Sequence, residues 1–149
     1  MKISTRGQYG LEALIYLALN SSVEPVSIKN IAQYCGMSEA YILQIFLVLR
    51  RAGIVSSIRG AQGGYMLSRE PSEISVKEIL EILEGPLALV ECIVEECEEP
   101  CIRYEMCSTR FLWEKIRERL DSLASSITLA DLVEHFRTLD AMQNPDYCI

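Results

Sequence analysis

Four closely spaced cysteines are the residues of this sequence best suited to chemistry. They lie in the segment ECIVEECEEPCIRYEMC, as Cys92, Cys97, Cys101 and Cys107. The segment is rich in glutamate, so it is too polar for a core element, and packing does not explain four neighbouring thiols. Thiols in a polar loop form disulfides, respond to oxidants or bind metal ions.

The expected compartment of the protein narrows these choices. The chain begins MKISTRGQYG, which does not resemble a secretory signal, and the early apolar run over residues 13–19 is too short to cross a membrane. We therefore predict a cytoplasmic protein without a membrane partner, in which thiols stay reduced. In that setting a cysteine cluster favours a metal site or a redox sensor over a structural disulfide.

Charge is divided unevenly along the 149-residue chain, whose net charge is −7. Residues 1–70 hold seven basic and four acidic side chains, whereas residues 71–149 hold seven basic and seventeen acidic ones. The basic first part, which includes Lys2 and Arg50, suits a polyanionic partner, and the acidic second part indicates a different task.

Helix signals in the first part follow the order of a helix-turn-helix. Apolar spacing predicts a first helix over residues 4–19. Serine caps and terminal glycines predict two more helices, over Ile28–Cys35 and Glu39–Ala52. Two helices joined by a tight glycine-containing turn form a helix-turn-helix, whose second helix enters the major groove with its N-terminal residues.

The third helix has one apolar face and one polar face. Its apolar stripe consists of Ile42, Ile45, Phe46 and Leu49. Tyr41 and Gln44 lie off this stripe near the N-terminus, where Ser38 is the cap. Glutamine can bond adenine through two hydrogen bonds, and serine or tyrosine can bond bases or phosphates. The alternative for this face is an ordinary solvated helix surface.

A predicted β-hairpin follows the third helix directly. Residues 53–58 indicate a strand, 59–64 a turn and 65–68 a return strand. A hairpin in this place is a wing, and its tip carries Arg59 among glycines that include Gly60. Arginine presented on such a turn suits a narrow minor groove, although a generic hairpin with a solvated arginine fits the same residues.

The second half contains a helix over Val76–Glu84, the cysteine loop, a long amphipathic helix from about Ser108 to Ala124, and a last helix over Leu129–Arg137. A long amphipathic helix in a small chain often packs on a second subunit, and dimers suit palindromic DNA. The sequence thus predicts a mainly α fold: a winged helix-turn-helix over 1–70, then a sensor and dimerisation region over 71–149, in one compact unit.

Several motifs together resemble the Rrf family of bacterial winged helix-turn-helix regulators. They are MKISTRGQYGLEAL, SEAYILQIFLVLRRAGIVSSIRGAQGGYML, ISVKEILEILEGP, the Cys-x5-Cys pair followed by Trp113, and ITLADL. The resemblance runs from Met1 to about Phe136. It implies a homodimer on palindromic DNA, with base contacts from Ser38, Tyr41 and Gln44 and a minor-groove contact from Arg59.

The iron–sulfur (IscR/NsrR-like) branch of this family has three cysteine ligands, which match Cys92, Cys101 and Cys107 by position. The resemblance implies a labile iron–sulfur cluster, [2Fe–2S] rather than [4Fe–4S]. Some members use a histidine ligand three residues after the last cysteine. Here that residue is Arg110, which has no lone pair to offer.

The resemblance leaves the fourth ligand open. The extra thiol of Cys97 is the first choice, and the alternative is an oxygen ligand from the N-terminal region of the other subunit, where Gln8 and Glu12 are weak candidates. At the position of Leu43, one type of member has a glutamate that helps it choose DNA sites, so that switch is not expected here.

Other functions use the same residues. A closed zinc site is one alternative, but its usual CxxC pairs are missing, and a metal-free thiol sensor is another. An electron-transfer protein could hold a cluster, yet it would need neither a wing nor a basic first half. A protein-interaction module is the remaining alternative, since the acidic loop could dock a partner. We find no catalytic constellation and expect no enzyme activity.

Overall fold

The computed structural model describes residues 2–94 and 101–144, and these ranges contain six α-helices and one β-hairpin. The helices are α1 (Thr5–Asn20), α2 (Ile28–Cys35), α3 (Glu39–Arg51), α4 (Val76–Glu84), α5 (Arg110–Ser126) and α6 (Leu129–Gln143). The hairpin strands are β1 (Val55–Ile58) and β2 (Gly64–Leu67), and short 3₁₀ turns lie at Pro71–Glu73, Glu91–Ile93 and Tyr104–Met106. The predicted fold class, a mainly α winged helix-turn-helix, is confirmed.

Local capping explains where most helices begin. A hydroxyl accepts a hydrogen bond from the backbone N–H three residues later at Ser4, Ser27, Ser38, Ser75 and Thr128. Such bonds satisfy N–H groups that have no partner within the helix. The bounds predicted for α2 and α4 are confirmed. The predicted end of α6 at residue 137 is wrong, because no glycine or proline interrupts the chain there and the helix continues to Gln143.

The helix-turn-helix is formed by α2 and α3, whose axes differ by 113°. Gly36 ends α2 in the left-handed conformation (φ 65°), which suits a residue without a side chain. In the described ranges, no single helix has the length and apolar composition to cross a membrane, although this bent pair meets those limits when its two helices are taken together.

The wing is an antiparallel pair in which Val55 faces Leu67 and Ile58 faces Gly64. A third piece of chain extends it, because Val26 exchanges both backbone hydrogen bonds with Tyr65, at 2.9 and 2.8 Å. A side chain at Gly64 would overlap the Val26 carbonyl, so this close pairing requires glycine. The wing is thereby fastened to the segment that leads into α2.

Both halves of the chain contribute to one hydrophobic core. The first half supplies Leu14, Leu17, Ile31, Phe46 and Ile54, and the second supplies Ile74, Ile79, Leu83 and Leu129. The α1 helix contacts α2, α3, α4 and α6, so it links the DNA-binding motif to the second half. A displacement of α4 would therefore change its direct contacts with α1 and α3.

Candidate DNA-binding surface and cysteine site

The α3 helix presents part of the predicted DNA contact set to solvent. Its apolar stripe is fully buried, which turns the opposite face outward. Gln44 is exposed on that face. The Ser38 hydroxyl accepts the Tyr41 N–H at 3.2 Å, so it caps the helix and keeps its own hydrogen for another acceptor. Tyr41 is half-buried, with its ring edge-on to that of Tyr9 at 6.4 Å.

The wing tip presents the second part of that set. Arg59 and Gly60 are exposed in the turn between β1 and β2. Gly60 has a φ of 124°, and its carbonyl accepts the Gly63 N–H at 3.0 Å, which closes the turn. Arg50 is exposed in the last turn of α3, away from its N-terminal end, and Lys2 is exposed just before α1.

The predicted metal ligands lie between α4 and α5. Cys92 and Cys107 are half-buried, Cys101 is exposed, and all three are free thiols. Cys97 lies outside the described residues. Within residues 2–94 and 101–144, no three histidine, cysteine, aspartate or glutamate side chains lie together as a group that could hold a metal ion. The structure places the three thiols on one connection but does not gather them around a common point.

The surroundings of Cys107 favour its thiolate. The Thr109 hydroxyl lies 3.3 Å from the sulfur, and this hydrogen bond is the largest cause that lowers the pKa of the thiol. Backbone N–H groups and the nearby Arg110 guanidinium lower the pKa further. Arg110 itself is held over the Tyr104 ring at 3.8 Å and bonds Glu114 at 2.6 Å.

Cys35 contrasts with the loop cysteines. It is buried in the core on α2, and burial, aided by the Glu12 carboxylate, raises the pKa of its thiol to about 11. A protonated thiol is a poor ligand and a poor nucleophile. Cys35 is therefore a core residue and not a candidate ligand.

The donor set of the loop fits an iron–sulfur cluster or another thiophilic metal. Thiolates are the usual ligands of such clusters, three free thiols share one connection, and the pKa of one of them is already lowered. Separated thiols are compatible with this role, because metal sites commonly assemble as the metal binds.

Two structural features were missed by the sequence analysis. The first is Arg117 on α5, whose guanidinium donates a hydrogen bond to the carbonyl of Ile93, beside Cys92. The second is the exposure of two leucines, Leu43 and Leu47, on the outer face of α3. The acceptor of Arg117 is a main-chain atom 24 residues away, so no residue pattern could have indicated it.

A winged helix-turn-helix whose second helix exposes its polar face, with an exposed wing tip beside it, is the architecture of a DNA-binding regulator. The Rrf2 profile, described as an iron-dependent transcriptional regulator, matches residues 3–135. The chain belongs to the Rrf2 family of transcriptional regulators. Because its relatives are named as regulators, the protein is a DNA-binding regulator and not an enzyme.

Individual relatives agree with this assignment. The regulator CymR of Bacillus subtilis is 44% identical over 135 residues, which cover 91% of each chain. The structure of CymR, the global cysteine regulator of B. subtilis, has a TM-score of 0.75 and covers 91% of this chain and 98% of that one. The structure of IscR from T. potens is 41% identical, with a TM-score of 0.72, and covers 91% and 88%. The regulator IscR of Xenorhabdus nematophila is 34% identical over 98% of this chain and 87% of its own.

Proposed function

We propose that this protein is a homodimeric regulator that binds palindromic duplex DNA and whose affinity or choice of site is set by an iron–sulfur cluster in the cysteine loop. One observation carries the proposal. Three free thiols, those of Cys92, Cys101 and Cys107, lie on the connection between α4, which packs on the DNA-binding motif, and the exposed helix α5.

The proposed DNA contacts come from two exposed elements. The N-terminal part of α3 enters the major groove, where Gln44 reads a base, with Ser38 and Tyr41 beside it. Arg59 and Gly60 approach the minor groove at the wing tip, and Lys2 and Arg50 contact phosphates. Gln44 and Arg59 are the most informative positions, because both side chains are exposed and, among the residues that the structure describes, neither makes a hydrogen bond or ion pair that its loss would disturb.

Substitution of these two residues tests the DNA-binding mode. Gln44→Ala relaxes specificity at one position per half-site, by about 1–3 kcal/mol. Arg59→Ala weakens binding of a site selected from random DNA. The control is Arg51→Ala, which also removes an exposed charge but lies at the end of α3. Unchanged affinity of Arg59→Ala for every selected site would contradict the wing assignment.

The proposed cluster is held by Cys92, Cys101 and Cys107, with Cys97 as the fourth ligand. We propose [2Fe–2S] rather than [4Fe–4S]. When bound, the cluster would supply a redox-sensitive group held by these thiolates, and its loss would release them. The family description as iron-dependent and the similarity to proteins named IscR support an iron–sulfur cluster, whereas the choice of [2Fe–2S] is part of the proposal alone. An oxygen ligand from the partner subunit, near Gln8 or Glu12, is the alternative fourth ligand.

Anaerobic reconstitution tests the cluster and its ligands. Each of the four loop cysteines is replaced by serine, and iron content and visible spectra are compared. Cys35→Ser is the matched control, since this buried thiol is not a proposed ligand and its loss should leave the cluster unchanged. A full, unchanged cluster in Cys97→Ser, together with its loss in the other three variants, would exclude Cys97 as a ligand.

The regulatory part of the proposal requires a separate measurement. The cluster-loaded and cluster-free proteins are titrated with the same selected DNA sites. A ligand shifts the equilibrium between two conformations only as far as its affinities for them differ, so the two forms must differ in DNA affinity. Equal binding of both forms to every site would leave the metal without a regulatory role.

A metal-free thiol sensor or a zinc-binding repressor is the second candidate. It is favoured by the separation of the described thiols and by the similarity to CymR, which is named as a cysteine regulator. The same reconstitution distinguishes the candidates. Zinc in place of iron indicates a zinc site, and DNA binding that responds to oxidant without any metal indicates a thiol sensor.

A further inference from the structure

The residue after the first cysteine of the loop is hydrogen-bonded through its backbone to the helix that follows the loop. The Arg117 guanidinium on α5 donates a hydrogen bond to the carbonyl of Ile93, the residue after Cys92. Ile93 is buried, and the Val94 N–H bonds the Glu91 carbonyl at 3.0 Å, so Cys92 lies within a closed 3₁₀ turn. A shift of Cys92 must therefore move the atom that Arg117 binds.

Arg117 also belongs to a row of charges that reaches α4. Its Nε lies 3.8 Å from Asp121 Oδ2, and the same oxygen lies 3.4 Å from Lys77 Nζ in the first turn of α4. The three side chains are only 25–28% exposed. Water and salt screen such partly shielded charges less than fully exposed pairs. A rearrangement of Arg117 therefore changes the electrostatic environment of Lys77, because both side chains share the Asp121 carboxylate.

The α4 helix passes this connection to the DNA-binding motif. Its N-terminus is tied to the end of α5, because the Val76 N–H bonds the Ile127 carbonyl at 2.8 Å. At its other end, Glu84 accepts hydrogen bonds from the backbone N–H and the hydroxyl of Ser4, the cap of α1. The path from Cys92 to α1 thus consists of hydrogen bonds, ion pairs and one short helix.

We propose that Arg117 is the positioning residue that couples the ligation of Cys92 to the DNA-binding helices. The inference rests on the proposed function, since it concerns how a change in the loop reaches the DNA. When Cys92 is drawn towards a metal, Ile93 shifts with it, and Arg117 either follows or releases the carbonyl. Both outcomes change the Arg117–Asp121–Lys77 contacts, which supplies the difference between states that coupling requires.

A measurement on the metal-free protein tests whether Arg117 holds the loop. Arg117→Met frees the Ile93 carbonyl, so Cys92 should be alkylated several-fold faster than in the wild type. Lys115→Met is the matched control, because it removes a charge from the same helix and breaks only contacts within α5, an exposed pair with Glu118 and a cation–π contact with the Phe111 ring. Arg117→Lys should give an intermediate rate, since lysine lacks the fork that reaches two acceptors. A wild-type rate in Arg117→Met overturns the inference.

The ratio of DNA affinities of the cluster-loaded and cluster-free forms tests the coupling. Coupling between two sites is typically about 5- to 150-fold, and Arg117→Met should bring the ratio to within about twofold of one, with iron content unchanged. Lys77→Met, which changes no proposed metal ligand, should lower the ratio in the same direction. An undiminished ratio in Arg117→Met overturns the proposal.

The outcomes separate this inference from the proposed function. A ratio of one in the wild type contradicts the proposed function itself, and the alkylation rates then still decide whether Arg117 holds the Cys92 segment. If Arg117→Met does not fold or does not load iron, Lys77→Met decides, and a wild-type ratio in that variant overturns the coupling.

Discussion

The reactivity of a cysteine thiol in this protein depends on what surrounds it. Cys107 and Cys35 are the same residue type, yet hydrogen bonds from Thr109 lower the pKa of one thiol and burial raises the pKa of the other. The thiolate is the form that binds metals and attacks electrophiles. Sequence spacing marked the loop cysteines as reactive, and their surroundings explain why Cys35 is not.

Alkylation should reveal that Cys35 is inert. Because the pKa of its thiol is about 11 and the side chain is buried, Cys35 should react with iodoacetamide at pH 7.5 more than about tenfold slower than the exposed Cys101. Its rate should rise about tenfold for each unit of pH below that pKa, as the thiolate fraction grows. Peptide mass spectrometry measures both rates, and guanidinium should make them equal. Equal rates in the native protein would contradict the burial.

Glu84 is a second side chain with a structural task that depends on its charge. Its hydrogen bond from the Ser4 hydroxyl is the main cause that lowers the pKa of the carboxyl, and the Ser4 and Gly7 N–H groups and Arg6 lower it further. Glu84→Gln should reduce the free energy of unfolding at pH 7 by about 1 kcal/mol.

The pH dependence of that effect has a definite sign. A carboxyl whose pKa is lowered by folding stabilises the native state above its unfolded-state pKa, about 4.3, and this contribution disappears as the pH falls through the lower native pKa. The gap between wild type and Glu84→Gln should therefore close in acid, as measured by urea unfolding. Glu81→Gln, on the same helix, removes only a partner of Lys77 at 3.7 Å and should have little effect.

At the scale of elements, the contact between α1 and α4 decides how the two halves of the chain are joined. Gly7 and Gly10 lie on the face of α1 that meets α4, where a side chain at Gly7 would meet the Glu84 carboxylate and one at Gly10 would overlap Leu83. These glycines let the helices approach closely. This approach brings the Glu84 carboxylate to Ser4, the N-cap of α1. That contact is the last one in the proposed path from Cys92 to α1.

Gly10→Ala should separate these two helices. An alanine usually stabilises a helix by about 0.5–1 kcal/mol relative to glycine. Here the added methyl group overlaps the buried Leu83 side chain, so we expect destabilisation of about 1–3 kcal/mol, measured by urea unfolding. Gln8→Ala, exposed on the same helix, is the control. Gly10→Ala combined with Leu83→Ala should lose less than the sum of the two single changes, and full additivity would contradict the contact.

At the scale of the whole molecule, the second half of the chain exposes more apolar surface than a solitary subunit needs. No residue of α5 is buried. Even its large apolar side chains are exposed, Phe111 by 69%, Leu112 by 49% and Leu123 by 59%. Leu112, Ile116 and Leu123 lie at i, i+4 and i+11, which is one face of the helix. A second subunit packed on this face would bury it, as the proposed dimer requires.

A charge placed in this face should dissociate the dimer. Leu123→Asp puts a carboxylate into the proposed interface, where it would lose its hydration without a partner. We expect a monomer at micromolar concentration by sedimentation and loss of binding to the palindromic site. Ser122→Asp adds the same charge at the neighbouring exposed position, off the apolar face, and should remain dimeric. A dimeric Leu123→Asp would place the interface elsewhere.

The sequence by itself determined the order and type of the elements, because their signals are local. Hydroxyl caps and apolar spacing located α2 and α4, and the glycine-rich turn after α3 predicted the wing. Misplaced ends, such as that of α6, arose where the sequence has no strong stop signal. The motifs that indicated the family are also stretches of sequence, so the class of protein could be predicted from them.

Only the tertiary structure decided which side chains of different elements contact one another. Ser4 and Glu84 are 80 residues apart, and Arg117 and Ile93 are 24 apart, so neither contact has a short-range pattern. The same holds for Tyr41, which lies off the apolar stripe of α3 and is nevertheless half-buried, with its ring edge-on to that of Tyr9. Such contacts depend on which helix faces pack together, and that is set by the burial of the whole core rather than by any single segment.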